Sequence, residues 1–130
     1  EKINNPWVHL DHDQRWTASA GAAYTLFNKS RAPLRLSATM VYGSGLRTDD
    51  DVTKTPNGLA LTPYATVNIA AVQTIHNTFG TNWGGDTQLR LDVINLGDHT
   101  YQLRDGSGIG VGAPQYGLRR TILCGISQGF

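Results

Sequence analysis

The sequence predicts an all-β protein of about six antiparallel strands that are joined as hairpins. Apolar and polar residues alternate with a period of two along most of the chain, which is the pattern of a strand with two different faces. Runs rich in Gly, Asn, Asp and Pro separate these stretches, as turns do. The chain has 130 residues, which suits one domain. No apolar run approaches the roughly 18 residues that a membrane-spanning helix needs.

The predicted strands follow one another along the chain. Over Gln14–Leu26 the even-numbered residues are mostly apolar and the odd-numbered residues are small or polar. The same alternation returns in "PLRLSATMVYG" and "TQLRLDVIN", is weaker in "YATVNIAAVQT", and leaves "TYQLR" as a short sixth candidate. The last stretch places four residues on one face: Ile122, Cys124, Ile126 and Phe130. A helix over Ala18–Phe27 is an alternative that rests on alanine propensity, but a period of two fits better.

Composition argues against several classes of protein. A net charge of +1 with 16% charged residues lacks the clustered basic excess of a nucleic-acid-binding surface. Cys124 is the only cysteine, so no internal disulfide forms, and an inert thiol that is buried or faces lipid is expected. No basic-then-apolar leader follows Glu1, so we expect a mature piece or a fragment.

The short motifs that could carry chemistry are better explained as loops. "GSGIGVG" is followed by proline and a strand, whereas a phosphate loop precedes a helix. "HLDHD" has metal-ligand residue types but no second cluster to complete a site. The acidic run Asp49–Asp51 is typical of a solvated loop. No catalytic set shows supporting spacing, so we expect neither an enzyme nor a cofactor.

The alternation fits two environments, a soluble β-sandwich and a transmembrane β-barrel. The polar positions are mostly Thr, Ser and Gly, where soluble strands more often carry Lys and Glu. Many apolar positions are alanine, which fills a sandwich core poorly but which fluid lipid can surround. Lipid contact is therefore the favoured interpretation. In a sandwich, four apolar residues would instead cluster in a dry interior: Trp16, Ile69, Leu91 and Ile126.

The spacing of aromatic residues also favours a membrane. Trp16 and Tyr24 lie eight residues apart on one predicted face. At about 3.3 Å per residue and a tilt of roughly 35–45°, their separation along the membrane normal is about 19–22 Å. That is close to the roughly 25 Å apolar band between the aromatic girdles of outer-membrane barrels.

The segment "LRLDVINLGDHTY", followed by "QYGLRRTILCGISQGF", resembles the C-terminal end of a TonB-dependent outer-membrane receptor. "DHDQRWTASAGAAYTL", "YGSGLRTD" and "TPYATVNI" resemble earlier strands of the same barrel. The resemblance implies that residues 1–130 form the C-terminal part of a 22-stranded barrel whose plug and N-terminal strands are absent. The whole receptor would take up a scarce ligand, such as a siderophore, cobalamin or a glycan, across the bacterial outer membrane. This piece would not transport alone, and TonB would act only through the missing plug.

The resemblance also assigns roles to residues. Phe130, with Ile126, Cys124 and Ile122 on the same face, would be the signal that the barrel assembly machinery reads. Four charged residues would face the lumen, where they contact the plug, line the substrate path or pair across strands: Arg15, Arg35, Arg90 and Asp92. Three residues depart from the family pattern: Gln128, Leu118 and Gly97.

The resemblance further implies an orientation, with the last strand running towards the periplasm. Counting back over six strands puts "NLGDH" and "GSGLRTDDDVTKTPNG" on the periplasmic side. It puts "NKSRAP", "HNTFGTNWGGD" and "DGSGIGVGAPQYG" outside the cell. Two other functions remain open at this stage, a small soluble β-sandwich that acts as a binding module and a short autotransporter-like or porin-like barrel with further strands upstream.

Overall fold

The computed structural model describes residues 8–10, 12–77, 85–107 and 112–129, and within these ranges the fold is all-β without any helix. This confirms the predicted fold class, and the alanine-rich segment is a strand. The strands are β1 (Thr17–Leu26), β2 (Leu34–Gly43), β3 (Arg47–Asp50), β4 (Thr55–Ala60), β5 (Tyr64–Ile75), β6 (Thr87–Ile94), β7 (Gln102–Arg104), β8 (Gln115–Tyr116) and β9 (Thr121–Gln128). Among the described residues, none belongs to a helix that could cross a bilayer.

Five of the strands form one antiparallel sheet in the order β1-β2-β5-β6-β9. Ile69 of β5 lies opposite Val93 of β6, and the pairing continues without a shift in register to Ile75 opposite Thr87. Strand β9 then pairs with β6 over its whole length, from Thr87 opposite Gln128 to Ile94 opposite Thr121. These five strands were all predicted from the period-two alternation.

Two small hairpins lie outside this sheet. The segment "GSGLRTDDDVTKTPNG" was expected to be a turn only, and this was wrong because it contains β3 and β4, which pair with each other. Its tip is closed by Asp50, whose carboxylate accepts hydrogen bonds from the backbone N–H of Val52 and Thr53 at 2.9 and 3.2 Å. The candidate strand "TYQLR" contributes β7, which pairs with β8 and is no part of the five-stranded sheet.

Backbone contacts divide the chain into two compact units, and each is described by itself. One consists of Glu1–Ala18, Val41–Ala65 and Thr100–Gly117, and it contains the two small hairpins. The other consists of Ser19–Met40, Thr66–His99 and Leu118–Phe130. It contains β6, β9 and most of β1, β2 and β5.

The hydrogen bonds show which ends of the strands lie together. Thr74 donates its backbone N–H to Pro33 at 3.0 Å, so the β1–β2 turn lies beside the end of β5. Gly129 donates to the Asp86 carbonyl at 2.9 Å, so the end of β9 lies beside the start of β6. Because antiparallel neighbours reverse direction, the connections 44–63 and 95–120 leave from the opposite ends of the strands. The expectation that grouped "NKSRAP" and "HNTFGTNWGGD" with "DGSGIGVGAPQYG" is therefore wrong, since "TYQLR" does not cross the sheet.

A glycine holds the base of the β3–β4 hairpin in a conformation that other residues disfavour. Gly45 has a φ of 88°, and a Cβ there would overlap the Leu61 carbonyl group. Gly45→Ala should therefore destabilise the hairpin by more than about 1 kcal/mol, measured as faster amide exchange in β3 and β4. Gly97→Ala is the control, because a Cβ at Gly97 meets nothing within 4 Å. Equal exchange in both variants would contradict the expectation.

Candidate functional site

One face of the five-stranded sheet is apolar, and the strand pairing shows that it is continuous. Residues that lie directly opposite each other in neighbouring strands project from the same face. Apolar residues meet in this way at five positions: Ile69 with Val93, Ala71 with Leu91, Leu89 with Ile126, Leu91 with Cys124, and Val93 with Ile122. Tyr24 of β1 and Leu36 of β2 line the same shallow apolar concavity as Ile69 and Leu91. The apolar face therefore extends from β1 to β9.

This apolar face is uncovered. Ile126 is 75% exposed and Leu91 is 44% exposed, and Trp16 and Ile69 are exposed too. No large apolar side chain among the described residues is buried, and the buried polar residues are Thr66, Thr87 and Asn95. In a sandwich Trp16, Ile69, Leu91 and Ile126 would cluster in a dry interior, but each of the four is exposed. The described part of the chain has no apolar core.

The residues predicted to form an assembly signal lie on the last strand. Ile122 and Ile126 project from β9 onto the apolar face, and the free thiol of Cys124 is exposed between them. Phe130 lies outside the described residues. Among the described strands, β9 has β6 as its only neighbour, so its other edge is unpaired.

At the end of β9 the apolar face gives way to polar side chains. Gln128 accepts a hydrogen bond from the hydroxyl of Thr87, and its amide nitrogen donates to the Gly85 carbonyl at 3.3 Å. At the same end of the sheet, near the end of β5, Gln73 donates to the Ala32 carbonyl at 2.6 Å. Gln128, which departs from the family pattern, therefore has partners for its amide and lies at the border of the apolar face.

The opposite face is polar and carries an ion pair. The Arg90 guanidinium donates to the Asp92 carboxylate through Nε at 2.6 Å and Nη2 at 2.8 Å. The pair forms along one strand, and it lines a shallow groove together with Ser37, Thr39 and Asn68. Arg35 is in β2 at the same alternate positions as Ser37 and Thr39, whereas Arg15 precedes β1. Neither of these two arginines forms an ion pair with another described residue.

A fully buried polar side chain, not predicted from the sequence, lies within the described residues. Asn95 is 1% exposed, and its side-chain amide donates to the carbonyls of His99 and Leu118, both at 2.8 Å. Its side-chain oxygen accepts from the His99 N–H at 3.0 Å, and its own N–H donates to Asn68 Oδ1 at 2.8 Å. Asn95 therefore joins the end of β6 to the segment before β9 and to β5.

An ion pair next to Asn95 joins the same two segments. Asp98 accepts hydrogen bonds from Arg119 Nε at 2.8 Å and Nη2 at 2.6 Å, and from the Arg120 N–H at 2.9 Å. The bonds from Arg119, and then the one from Arg120, lower the pKa of Asp98 well below its ordinary value. "NLGDH" was interpreted as a plain turn, because nothing local in the sequence shows that Arg119 will reach Asp98.

Polar contacts are also found in the unit that contains the two small hairpins. His9 Nδ1 lies 2.9 Å from Asp13 Oδ2, and Arg47 Nε lies 3.7 Å from the same oxygen. The rings of Tyr64 and Tyr101 stack with their centroids 4.4 Å apart. In the described part of the chain, no three His, Cys, Asp or Glu side chains are grouped as metal ligands.

The geometry defines a class of architecture: an antiparallel sheet with one exposed apolar face, one polar face and two outer strands, β1 and β9, that each have a single described neighbour. Comparison of the chain with protein-family models, with curated proteins and with solved structures gave no match.

Proposed function

We propose that this chain forms the C-terminal strands of a TonB-dependent receptor barrel in the bacterial outer membrane. The observation that carries the proposal is the continuous apolar face from β1 to β9, which is exposed although the described residues contain no apolar core. A soluble module would bury such a face against a second layer. In a membrane barrel no second layer of protein covers such a face, because it is in contact with lipid.

The dimensions of the sheet support the same proposal. A transmembrane β-strand needs roughly 9–11 tilted residues. Strands β1 and β2 have 10 residues each and β5 has 12, while β6 and β9 have 8 each. Trp16, just before β1, and Tyr24, near its other end, are both exposed. Aromatic rings at the two borders of an apolar band are typical of outer-membrane barrels.

The strand order supports an orientation that differs from the one first expected. If β9 runs towards the periplasm, the connections 44–63 and 95–120 lie outside the cell. The shorter β1–β2 turn then faces the periplasm. Outer-membrane barrels have short periplasmic turns and longer extracellular loops. The long connection 44–63 would therefore lie on the side where long loops are usual.

The proposed role, as one part of a larger barrel, follows from the unpaired outer edges of the sheet. The outer edges of β1 and β9 carry backbone groups that must be paired within a bilayer, so this sheet would need further strands. The complete receptor would take up a scarce ligand such as a siderophore, cobalamin or a glycan, and the chain alone would not transport. The polar face with Arg90 and Asp92 would line the lumen, and TonB would act through a plug that this chain does not contain.

The single cysteine offers a direct test of the proposal. A nitroxide spin label on Cys124 of the intact gene product in outer-membrane vesicles should be accessible to oxygen and protected from a water-soluble nickel complex. The reason is that Cys124 lies between Ile122 and Ile126 on the proposed lipid face. The measurement is power-saturation electron paramagnetic resonance with each collision reagent.

The matched control moves the label by one residue to the polar face. In Cys124→Ser with Gly125→Cys, the added Cβ meets only Arg90 Cβ within 4 Å, at 3.9 Å, which is ordinary van der Waals contact. This label should show the reverse accessibilities. Strong collision of the Cys124 label with nickel, together with a chain that stays soluble without detergent, would favour the soluble module and overturn the proposal.

A further inference from the structure

The middle of the β6–β9 pair does little to fix how the two strands align. Leu89, Leu91 and Val93 meet Ile126, Cys124 and Ile122, so every apolar-face position of this stretch is apolar. A slide by two residues keeps each side chain on its own face, because the faces repeat with a period of two. Lipid chains are as apolar as the side chains themselves and would surround either arrangement.

We infer that a polar cluster at one end of these strands, formed by Asn95, Asp98, Leu118, Arg119 and Arg120 and named here the turn lock, selects the register of β9. The turn lock would thereby place Ile122 and Ile126 where the assembly machinery would meet them. That consequence rests on the proposed function, whereas the register itself does not.

The contacts of the turn lock are tied to single residues. Asn95 donates to the Leu118 carbonyl at 2.8 Å, and Asp98 accepts from Arg119 and from the Arg120 N–H. A two-residue slide would move β9 by about 6.6 Å along β6, which exceeds the reach of any hydrogen bond. Every contact of the turn lock would be lost.

The turn itself cannot follow such a slide, because β5 holds it from the other side. The N–H of Asn95 donates to Asn68 Oδ1 at 2.8 Å, and the N–H of Leu96 donates to the Val67 carbonyl at 2.8 Å. Asn95 and Asp98 also have left-handed backbone conformations, with φ of 51° each, which Asn and Asp tolerate better than most residues. The turn is thus a fixed reference for β9.

The opposite end of the pair provides weaker constraints. Gly129 donates to the Asp86 carbonyl at 2.9 Å, and a backbone bond of this kind can form again with another residue after a slide. At this end Gln128 accepts a residue-specific bond across the strands from the hydroxyl of Thr87, and the amide of Gln128 reaches the Gly85 carbonyl only at 3.3 Å. Asn95 is buried, and a buried group that loses its partner is not compensated by water.

The turn lock should also persist in mild acid. Bonds from Arg119 and from the Arg120 N–H lower the pKa of Asp98 in the folded state, whereas the pKa of an Asp in the unfolded chain is about 3.9. The contribution of Asp98 is therefore fully present above that value and is lost only as the pH falls through the lowered folded pKa. The register should be the same at pH 5 as at pH 7.

Cross-linking to the native Cys124 reads the register directly. Leu91 lies opposite Cys124, so Leu91→Cys should cross-link efficiently, while Leu89→Cys and Val93→Cys report slides by two residues. We would oxidise these variants in the intact gene product, with any cysteine outside this chain replaced. In the background Asn95→Ala with Asp98→Ala, we expect the ratio of the Leu91→Cys product to the two others to fall by about tenfold or more. Asp98→Ala alone should lower it less.

Two controls accompany the experiment. Asp50→Ala removes another carboxylate that caps backbone N–H groups, but in the β3–β4 hairpin, and should leave the ratio unchanged. Gln128→Ala weakens the opposite end of the pair and should have the smaller effect. An unchanged ratio in both turn-lock backgrounds would overturn the inference, and so would a larger effect of Gln128→Ala. If the Cys124 spin label instead collides strongly with nickel and the chain stays soluble without detergent, the proposed function fails while the register result stands.

Discussion

Leu91→Arg should prevent stable insertion of this sheet into the bilayer that we propose for it. Leu91 lies in the middle of β6 on the apolar face, between Ala71 of β5 and Cys124 of β9. An arginine on the lipid face near the bilayer midplane costs about 2–4 kcal/mol, which corresponds to a loss of roughly thirty-fold or more in the folded population. The measurement is the urea dependence of folding into vesicles, together with the yield of assembled protein in outer-membrane fractions.

Gln88→Arg is the matched control for this prediction. Gln88 is an exposed residue of the same strand on the polar face, opposite Ser127, so the new charge would meet water rather than lipid. We expect a change within about 0.5 kcal/mol, as for surface substitutions in general. A sheet whose apolar face is open to water predicts instead that both variants are nearly neutral, because Leu91 is already 44% exposed. Equal stabilities would therefore contradict the membrane interpretation.

The main strands could be predicted because alternation is a local property of the chain. In β1, β2 and β6, side chains alternate between two faces that differ in polarity, and this is visible without knowing any partner. The β3–β4 hairpin was missed because "RTDD" and "TPNGLA" do not alternate, and its pairing depends on a turn closed by Asp50. The grouping of the connections was wrong for a related reason: whether "TYQLR" crosses the sheet is decided by its pairing with Gln115–Tyr116.

In the candidate site too, alternation predicted the faces of the strands, whereas contacts between residues distant in sequence were not predicted. Alternation correctly placed Ile122, Cys124 and Ile126 on one face, and the neighbouring strands show that the face continues. The roles of Phe130 and of the four charged residues remain predictions. Asn95 could not be recognised as a buried residue, because its partners Asn68 and Leu118 are distant in sequence and meet it only in the folded sheet.

Asn95→Ala should be the most destabilising single polar substitution in the turn lock. It removes the hydrogen bonds that the Asn95 side chain makes with the Leu118 carbonyl and with the carbonyl and N–H of His99. It also places alanine at a φ of 51°, which favours Asn. Since His99 is exposed and water can replace part of what it loses, we expect a cost of about 2–4 kcal/mol. The measurement is the urea midpoint of the protein folded in vesicles.

Two substitutions separate the buried hydrogen bonds from the backbone conformation. Asn57→Ala changes another asparagine with a positive φ, 54°, whose side chain makes one bond, at 2.8 Å, to the His9 carbonyl in an exposed hairpin. Its cost should be smaller by about 1–2 kcal/mol, because water replaces the lost partner. Asn95→Gly keeps the left-handed conformation favourable and should retain most of the cost of Asn95→Ala. If Asn95→Gly restored the stability, backbone conformation rather than the buried amide would hold the turn, and the turn lock would lose its main contact with β9.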